Sequence, residues 1–437
     1  MIYQGTTSQI LDHENSWIGS IPSSWKIVRL QRYLYLQNGY PFDSTHFNSF
    51  EGIRLVRIRD LTDGGTETYF DGQVPSHSLI DDGDLLVGMD GDFNVCWWQG
   101  GKAVLNQRLC CLHSLVGLDK RFLFYLLPWP LKIINDLTYF TTVKHLSSSQ
   151  ILKIKAPLPS LDEQRYIAAY LDRKTDVIDS VIQKKQRLIE LLREKRQALI
   201  TQAVTKGLDP SVPMKGSGIE WLGEIPQHWA IGRLGADCSI KARLGWKGLK
   251  ASEYVDDGFV FLSTPNIKGN DIDFDNVNYV TEQRYYESPE IMLQKGDVLI
   301  AKDGSTLGIT NVIRALPAKA TVNSSIAVIR PRGAYNSVFL YYFLSAHYTQ
   351  SVIQRMKDGM GVPHLFQADL RKFVTIIPPL NEQNAIATYL DQTTKMFDKL
   401  IDHIDLQIAR VEEYRQTLIS AAVTGKIDVR EEVAACL

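Results

Sequence analysis

The sequence predicts an α+β protein in which two globular domains are each followed by a long helix, the two helices pairing as an antiparallel coiled coil. Three observations predict it. A set of motifs occurs twice in the same order, two long stretches lack proline and glycine, and short strand-like runs lie between them. Of the 437 residues, 44% are hydrophobic and 22% charged, which supplies enough core for more than one domain and gives no sign of general disorder.

The repeat fixes the organisation. Trp17-Ile-Gly-Ser-Ile-Pro-Ser-Ser-Trp25 returns as Trp221-Leu-Gly-Glu-Ile-Pro-Gln-His-Trp229, and Arg29-Leu30 as Arg233-Leu234. Gly83-Asp84-Leu-Leu-Val returns as Gly296-Asp297-Val-Leu-Ile, each followed by Asp-Gly, at Asp90-Gly91 and Asp303-Gly304. Pro157-Leu-Pro-Ser-Leu-Asp-Glu-Gln164 matches Ile376-Ile-Pro-Pro-Leu-Asn-Glu-Gln383, and Ala203-Val-Thr matches Ala422-Val-Thr. The offset is 204 at the first motif, 213 at the Gly-Asp motif and 219 from His145/His364 onward. The helical parts therefore align without gaps while the domain interiors differ, as a constant scaffold holding two divergent readers would. The chain divides into an extension (1–16), a first globular domain (17–160), a first long helix (161–208), a linker (209–216), a second globular domain (217–379), a second long helix (380–428) and a tail (429–437).

Pro157 and Pro159 precede the first helix, and Pro378 and Pro379 the second. Gly207 and Gly425 follow them, in the positions where helices stop. Each helix would be about 65 Å long at 1.5 Å per residue. Their apolar residues recur every seven. The series are Leu171, Ile178, Lys185, Leu192, Leu199 with Thr175, Ile182, Ile189, Arg196, and Leu390, Phe397, Ile404, Val411, Leu418 with Thr394, Ile401, Ile408, Arg415. A pseudo-twofold antiparallel register would put Thr175 opposite Arg415, Thr394 opposite Arg196, Ile182 opposite Ile408 and Ile189 opposite Ile401. It would set Lys185 beside Ile404.

Within the globular halves, strand-like runs occur at Ile53–Ile58, Asp84–Val87, Phe259–Leu262, Asp297–Ala301 and Ile326–Ile329, and helical runs at Phe122–Leu127 and Val338–Gln354. Several polar clusters have the chemistry to touch nucleic acid, since Arg and Lys reach phosphates or guanine and Asn and Gln reach adenine. They are Arg57 and Arg59; Asn106, Gln107 and Arg108; Lys144 and His145; Lys241, Arg243, Trp246, Lys247 and Lys250; Asn266 and Lys268; and Lys302. For any one of these a solvated surface role is the ordinary alternative. Asp81, Asp82, Asp84, Asp90 and Asp92 form an acidic stretch that reads as turn and strand-edge chemistry rather than a metal site.

No phosphate-binding Gly-rich loop, dinucleotide fingerprint, His-Glu-x-x-His or Gly-x-Ser-x-Gly motif occurs, so the chain reads as a binding protein and not an enzyme. The net charge of −1 is low for a protein that would hold DNA alone. Five cysteines without a Cys-x-x-Cys pair suit free thiols in a reducing compartment. No apolar run could span a bilayer and none starts the chain, so a cytoplasmic protein is expected.

The doubled Trp-x-Gly-x-Ile-Pro-x-x-Trp segments, the doubled Leu-Asp/Asn-Glu-Gln helix entries, Tyr170-Leu171-Asp172 with Tyr389-Leu390-Asp391, and the doubled Ala-Val-Thr ends resemble the specificity (S) subunit of Type I restriction–modification systems, from about Trp17 to Asp428. The resemblance implies that each globular half is a target recognition domain reading one part of a split sequence in double-stranded DNA. The helices would act as a ruler and dock two methyltransferase (M) subunits, with restriction (R) subunits joining the complex. It implies no cofactor or metal in this chain: S-adenosylmethionine belongs to the methyltransferase, and ATP and Mg to the restriction subunit. The alternative is a coiled-coil adaptor with two domains binding ligands other than DNA.

Overall fold

A computed structural model describes residues 6–7, 17–63, 68–137, 144–243, 249–357 and 364–430. The chain packs as two compact units. One draws on residues 1–185 and 406–437, the other on 186–405. The units cut across the repeat boundaries, because each long helix contributes one part to each unit.

In the first unit an antiparallel sheet has the order Val95–Trp97, Leu85–Gly88, Leu109–Ser114, Leu34–Asn38. A second sheet runs Phe47–Asn48, Tyr69–Phe70, Ile53–Val56, Ala103–Leu105, Leu79–Ile80, and its Ile53–Val56/Ala103–Leu105 pair is parallel. The central strand shows why the sequence makes this layer. Side chains alternate across a strand. Leu85 and Val87 enter the core shared with the helices, while Leu86 enters the core beneath the second sheet. A strand buried on both faces reads as a continuous apolar run.

The second unit repeats the plan. Its antiparallel sheet has the order Cys238–Ala242, Ile326–Pro331, Val298–Ala301, Thr310–Val312. Its other sheet has Asn278–Val280, Phe259–Leu262 and Ala320–Val322, the last two parallel. Val298 and Ile300 face the helical core, and Leu299 and Ala301 face the other. In each unit a short antiparallel pair joins the chain entering and leaving the domain: Lys26–Arg29 with Lys155–Leu158, and Ala230–Arg233 with Val374–Ile377.

The helix Lys120–Leu126 begins at Asp119, whose carboxylate accepts from the Phe122 N–H at 2.8 Å. Its counterpart Ser337–Ser345 begins at Asn336, which accepts from Val338 and Phe339. The run expected over Val338–Gln354 is two helices, because Ala346 is extended between Ser337–Ser345 and His347–Lys357. The break is stabilised from the first long helix. Gln197 Nε2 donates to the Ser345 carbonyl at 3.0 Å, and Thr201 Oγ1 accepts from the His347 N–H.

The long helices span Leu161–Lys206 and Leu380–Val423. In the first unit they run antiparallel: Asp179 meets Arg415 at 2.9 Å, and Lys185 Nζ donates to Gln407 Oε1 at 2.6 Å. Ile178, Ile182, Val411 and Leu418 join one apolar cluster there. In the second unit Arg196 meets Asp398 at 3.3 Å, the counterpart pair in the repeat. Ile189, Leu390, Ile401 and Ile404 are buried, as is Ile408 in the first unit, while Leu192, Leu199 and Phe397 are half-buried. The arginines do not meet the threonines as the expected register had it. Each long guanidinium side chain reaches an aspartate one turn further, which neutralises it. Thr175 and Thr394 instead face their own domains.

The ends of the helices carry a further result. Leu418, Ala422 and Val423 pack in the first unit's core with Ile18, Ile21 and Trp25. Ile200, Ala203 and Val204 pack in the second unit's core with Leu222, Ile225 and Trp229. Each Ala-Val-Thr end therefore seats on a Trp-x-Gly-x-Ile-Pro-x-x-Trp segment. For the second unit the two are neighbours in sequence, and for the first they lie at opposite ends of the chain. Gly425 makes the contact possible: its φ is +71°, and an added Cβ would stand 2.5 Å from Pro22.

Candidate nucleic-acid interface

Each domain is tied to its long helix by the same set of polar contacts. Gln164 is fully buried at the start of the first helix. Its amide donates to the carbonyls of Gly117 and Pro159, both at 3.0 Å, and its oxygen accepts from the Asp119 N–H at 2.7 Å. Gln383 does the same with Ala334, Pro378 and Asn336, at 2.9, 2.8 and 2.8 Å. The preceding glutamates accept from tryptophan indoles: Glu163 from Trp25 at 3.4 Å and Glu382 from Trp229 at 2.9 Å. The Glu-Gln repeat is thus a structural clamp on backbone groups that burial would otherwise leave unpaired.

About two turns further, Tyr125 donates to Asp172 at 2.6 Å and lies 3.1 Å from Thr175 Oγ1. Tyr342, Asp391 and Thr394 match them at 2.7 and 3.0 Å. A guanidinium completes each cluster from a different position. Arg121, from the helix before, bonds Asp172 at 2.7 Å, and Arg314, from the loop after Thr310–Val312, bonds Asp391 at 2.8 Å. Burial, then the bond to Asp172, pushes the Tyr125 hydroxyl from its ordinary 10.0 up to about 12. The folded state thus holds the proton more tightly than the unfolded chain. This contribution is complete below about pH 10 and is lost as pH rises through about 12. Tyr125→Phe is expected to cost about 1–2 kcal/mol and to flatten that alkaline loss, as read by urea unfolding across pH.

The nucleic-acid candidates fall into three groups. Arg59, Gln107, Arg108, His145, Lys241, Lys250 and Lys268 are exposed. Arg57, Asn106 and Lys144 are half-buried; Arg57 bonds Thr68, and Lys144 Nζ donates to the carbonyl and side-chain oxygens of Asn135 at 2.8 and 2.7 Å. Arg243, Asn266 and Lys302 are buried. Arg243 donates to Val322, Ser288 and Thr321, each at 3.3 Å, and burial pulls its guanidinium below the usual range. Asn266 donates to the carbonyls of Asp273 and Asn276 and accepts from Ser263. Lys302 holds Asp303 at 3.2 Å. The structure therefore takes these three off the surface expected for them, because each supplies hydrogen bonds to its own domain. Trp246 and Lys247 lie outside the described residues.

The acidic stretch works in turns: Asp81 N–H donates to Asp84, Asp82 N–H to Asp81 and Gly101 N–H to Asp82. Burial pushes the thiol of Cys111 up to about 12 and that of Cys238 likewise to about 12. Asp84, Cys111 and His113 bring possible metal-ligand atoms within 4.8 Å of one another. Asp84 is held by Lys120 at 3.2 Å and His113 by Gln37 at 2.8 Å, so two of the three are engaged by protein groups.

Sequence reading did not single out Gln164, Gln383, Tyr125, Tyr342, Arg121 or Arg314 as a set. The Glu-Gln repeat was visible, but its bonding partners are far away in sequence. It also passed over the two pairs in which His145 meets Asp90 at 2.7 Å and His364 meets Asp303. The recurrence of Asp-Gly and of His at both sites was the available signal.

Comparison with known proteins agrees with this arrangement. A model of the Type I restriction modification DNA specificity domain matches residues 22–191 and again 229–410. The chain is 28% identical over 436 residues to the Type I restriction enzyme EcoBI specificity subunit of Escherichia coli, covering 98% of this chain and 91% of that one. It is 24% identical over 416 residues to the MjaVIII specificity subunit of Methanocaldococcus jannaschii, covering 94% of each. Its fold superposes with a TM-score of 0.71, at 20% identity, on a solved chain from work on complex assembly and conformational transition of the type I R-M system, covering 93% of this chain and 99% of that one. With two matched domains placed on the duplicated frame, the chain belongs to the Type I restriction modification DNA specificity family.

Proposed function

We propose that this chain is the DNA-specificity subunit of a Type I restriction–modification complex, reading a bipartite target with one half-site per domain. The observation that carries the reading is the contrast within each domain. The order of the four-stranded sheet and the Gln, Tyr and Asp contacts to the long helix are the same in both, while the second sheet has five strands in one and three in the other and the exposed polar loops differ. Invariant attachment with divergent loops suits two readers held on one frame.

In this reading the chain is a targeting subunit without an active site or cofactor of its own. S-adenosylmethionine enters with methyltransferase subunits, and ATP with Mg enters with restriction subunits. Exposed apolar side chains on the long helices offer docking area for the methyltransferase: Val177, Val181, Leu406 and Tyr414 in one unit, Leu188, Leu191, Met396 and Leu400 in the other. A near-neutral specificity subunit then shares the task of holding DNA with its partners. The cytoplasm is the matching compartment, and no helix among the described residues is long and apolar enough to cross a membrane.

The test is methylome sequencing of cells carrying the neighbouring methyltransferase genes, with and without this chain. N6-methyladenine in both halves of a split sequence, lost on deletion, is expected. Methylation unchanged by deletion, together with no binding of the chain to the methyltransferase, would overturn the reading in favour of an adaptor for other ligands.

A further inference from the structure

We propose that the pairs Asp90–His145 and Asp303–His364 are sequence-independent anchors that grip one DNA phosphate in each recognition domain. The proposal rests on the DNA-specificity reading and assigns chemistry to a site that the reading leaves blank.

The two pairs sit at equivalent places. In each, the Asp and His form an isolated antiparallel bridge. The residue after the histidine, Leu146 or Leu365, donates its N–H to the carbonyl of the residue before the aspartate, Met89 or Lys302, at 2.7 and 2.8 Å. The repeat offset is 213 at the aspartates and 219 at the histidines, so the intervening chain differs in length by the difference between these, yet the pairing survives.

A basic side chain also meets the second carboxylate oxygen in both domains, but from different positions. Arg108 reaches Asp90 at 2.9 Å, and Lys302 reaches Asp303 at 3.2 Å. Lys302 occupies the place of Met89, and Ser325 that of Arg108, as the equivalent backbone bonds show. One carboxylate with a neighbouring imidazole and cation is therefore rebuilt twice from unlike sequence. Lys144, next to His145, is held by Asn135. Among the described residues, the ion pairs at the two rings are made by Asp90 with Arg108 and by Asp303 with Lys302.

The ring chemistry points outward. Nδ1 is bound to the carboxylate in both, which fixes the ring and leaves Nε2 without a hydrogen bond among the described residues. The side chains of His145 and His364 are 59% and 33% exposed. A second proton on Nε2 yields an N–H donor on a cation, with the Asp charge already matched by Arg108 or Lys302. Its fitting partner is a single anionic oxygen, and in DNA that is the phosphodiester. Base readers have to differ between two domains that read different half-sites, whereas phosphate is the same at every step. An exposed group kept in both domains amid divergent loops suits phosphate contact rather than base reading.

The test uses the full chain assembled with its methyltransferase subunits, binding duplexes with and without the target across a range of salt. His145→Gln and His364→Gln keep a donor toward the aspartate and remove the cation. Each is expected to weaken binding about tenfold on every duplex alike, to reduce the slope of log affinity against log salt by about 0.9, and to leave the methylated sequence unchanged. His145→Lys should recover the salt slope even where the glutamine variant is poorly folded. A slope unchanged in the glutamine variants, while the wild-type assembly methylates its target, would overturn the anchors alone, as would a changed target sequence. Failure of the wild-type assembly to methylate any specific sequence would remove the specificity reading and the anchors together.

Discussion

Val423→Asp is expected to unfold the first unit and leave the second folded, although residue 423 follows the second globular domain in sequence. Val423 is 1% exposed and belongs to the core that holds Ile18, Trp25, Phe122 and Leu126. A carboxylate there has no cation among those neighbours, so it must either enter the core charged or take up a proton. Either course costs on the order of 4–5 kcal/mol, a large part of a domain's stability. Hydrogen exchange read by region should show protection lost across the sheet Leu34–Asn38, Leu109–Ser114 and Leu85–Gly88 and kept across Cys238–Ala242 and Ile326–Pro331. Val204→Asp should give the mirror result, since Val204 lies in the second core. Loss of protection in the second sheets from Val423→Asp would contradict the seating of the helix ends.

Gln164→Ala should be nearly as severe. It strands the Gly117 and Pro159 carbonyls and the Asp119 N–H, all bonded by one buried amide. Leaving buried groups unpaired costs about 1–3 kcal/mol each, and partial access of water to the new space brings the sum to about 3–5 kcal/mol. Gln164→Glu should not rescue it, because an ionised carboxylate cannot donate to two carbonyls. Gln383→Ala is expected to act on the second unit alone. Denaturant unfolding followed by separate probes in each unit checks both, as a chain of two units need not unfold in one step. A loss under about 1 kcal/mol would remove the clamp from the account.

These residues show what the sequence reveals about the fold and what it withholds. The long helices were legible because proline before, glycine after and a seven-residue apolar period are local signals. The central strands were legible because a run such as Val298–Ala301 is apolar on both faces. The helix register was legible only in outline. Side-chain length decides whether Arg415 stops at Thr175 or reaches Asp179, and a heptad count does not contain that. The break at Ala346 was hidden because no proline or glycine marks it; contacts from Gln197 and Thr201, distant in sequence, stabilise the extended residue.

The interface was legible by residue type but not by exposure. Arg243 and Lys241 stand two apart at the end of one strand, yet Lys241 is exposed and Arg243 buried. An alternating strand would place both on the same face. Arg243 follows the last strand residue, Ala242, and turns inward to Thr321 and Ser288. Lys302 likewise sits at the end of a buried strand and serves Asp303 before any ligand. Composition identified basic groups, and tertiary contacts determined which of them remain at the surface.

The most direct test of the central claim is an exchange of residues 217–379 for the corresponding domain of another specificity subunit, with methylation mapped in cells that supply the same methyltransferase. Two separate readers on one frame predict a hybrid target: one half-site unchanged, the other replaced by that of the donor. A chimera that folds and binds the methyltransferase but changes both half-sites, or neither, would contradict the account.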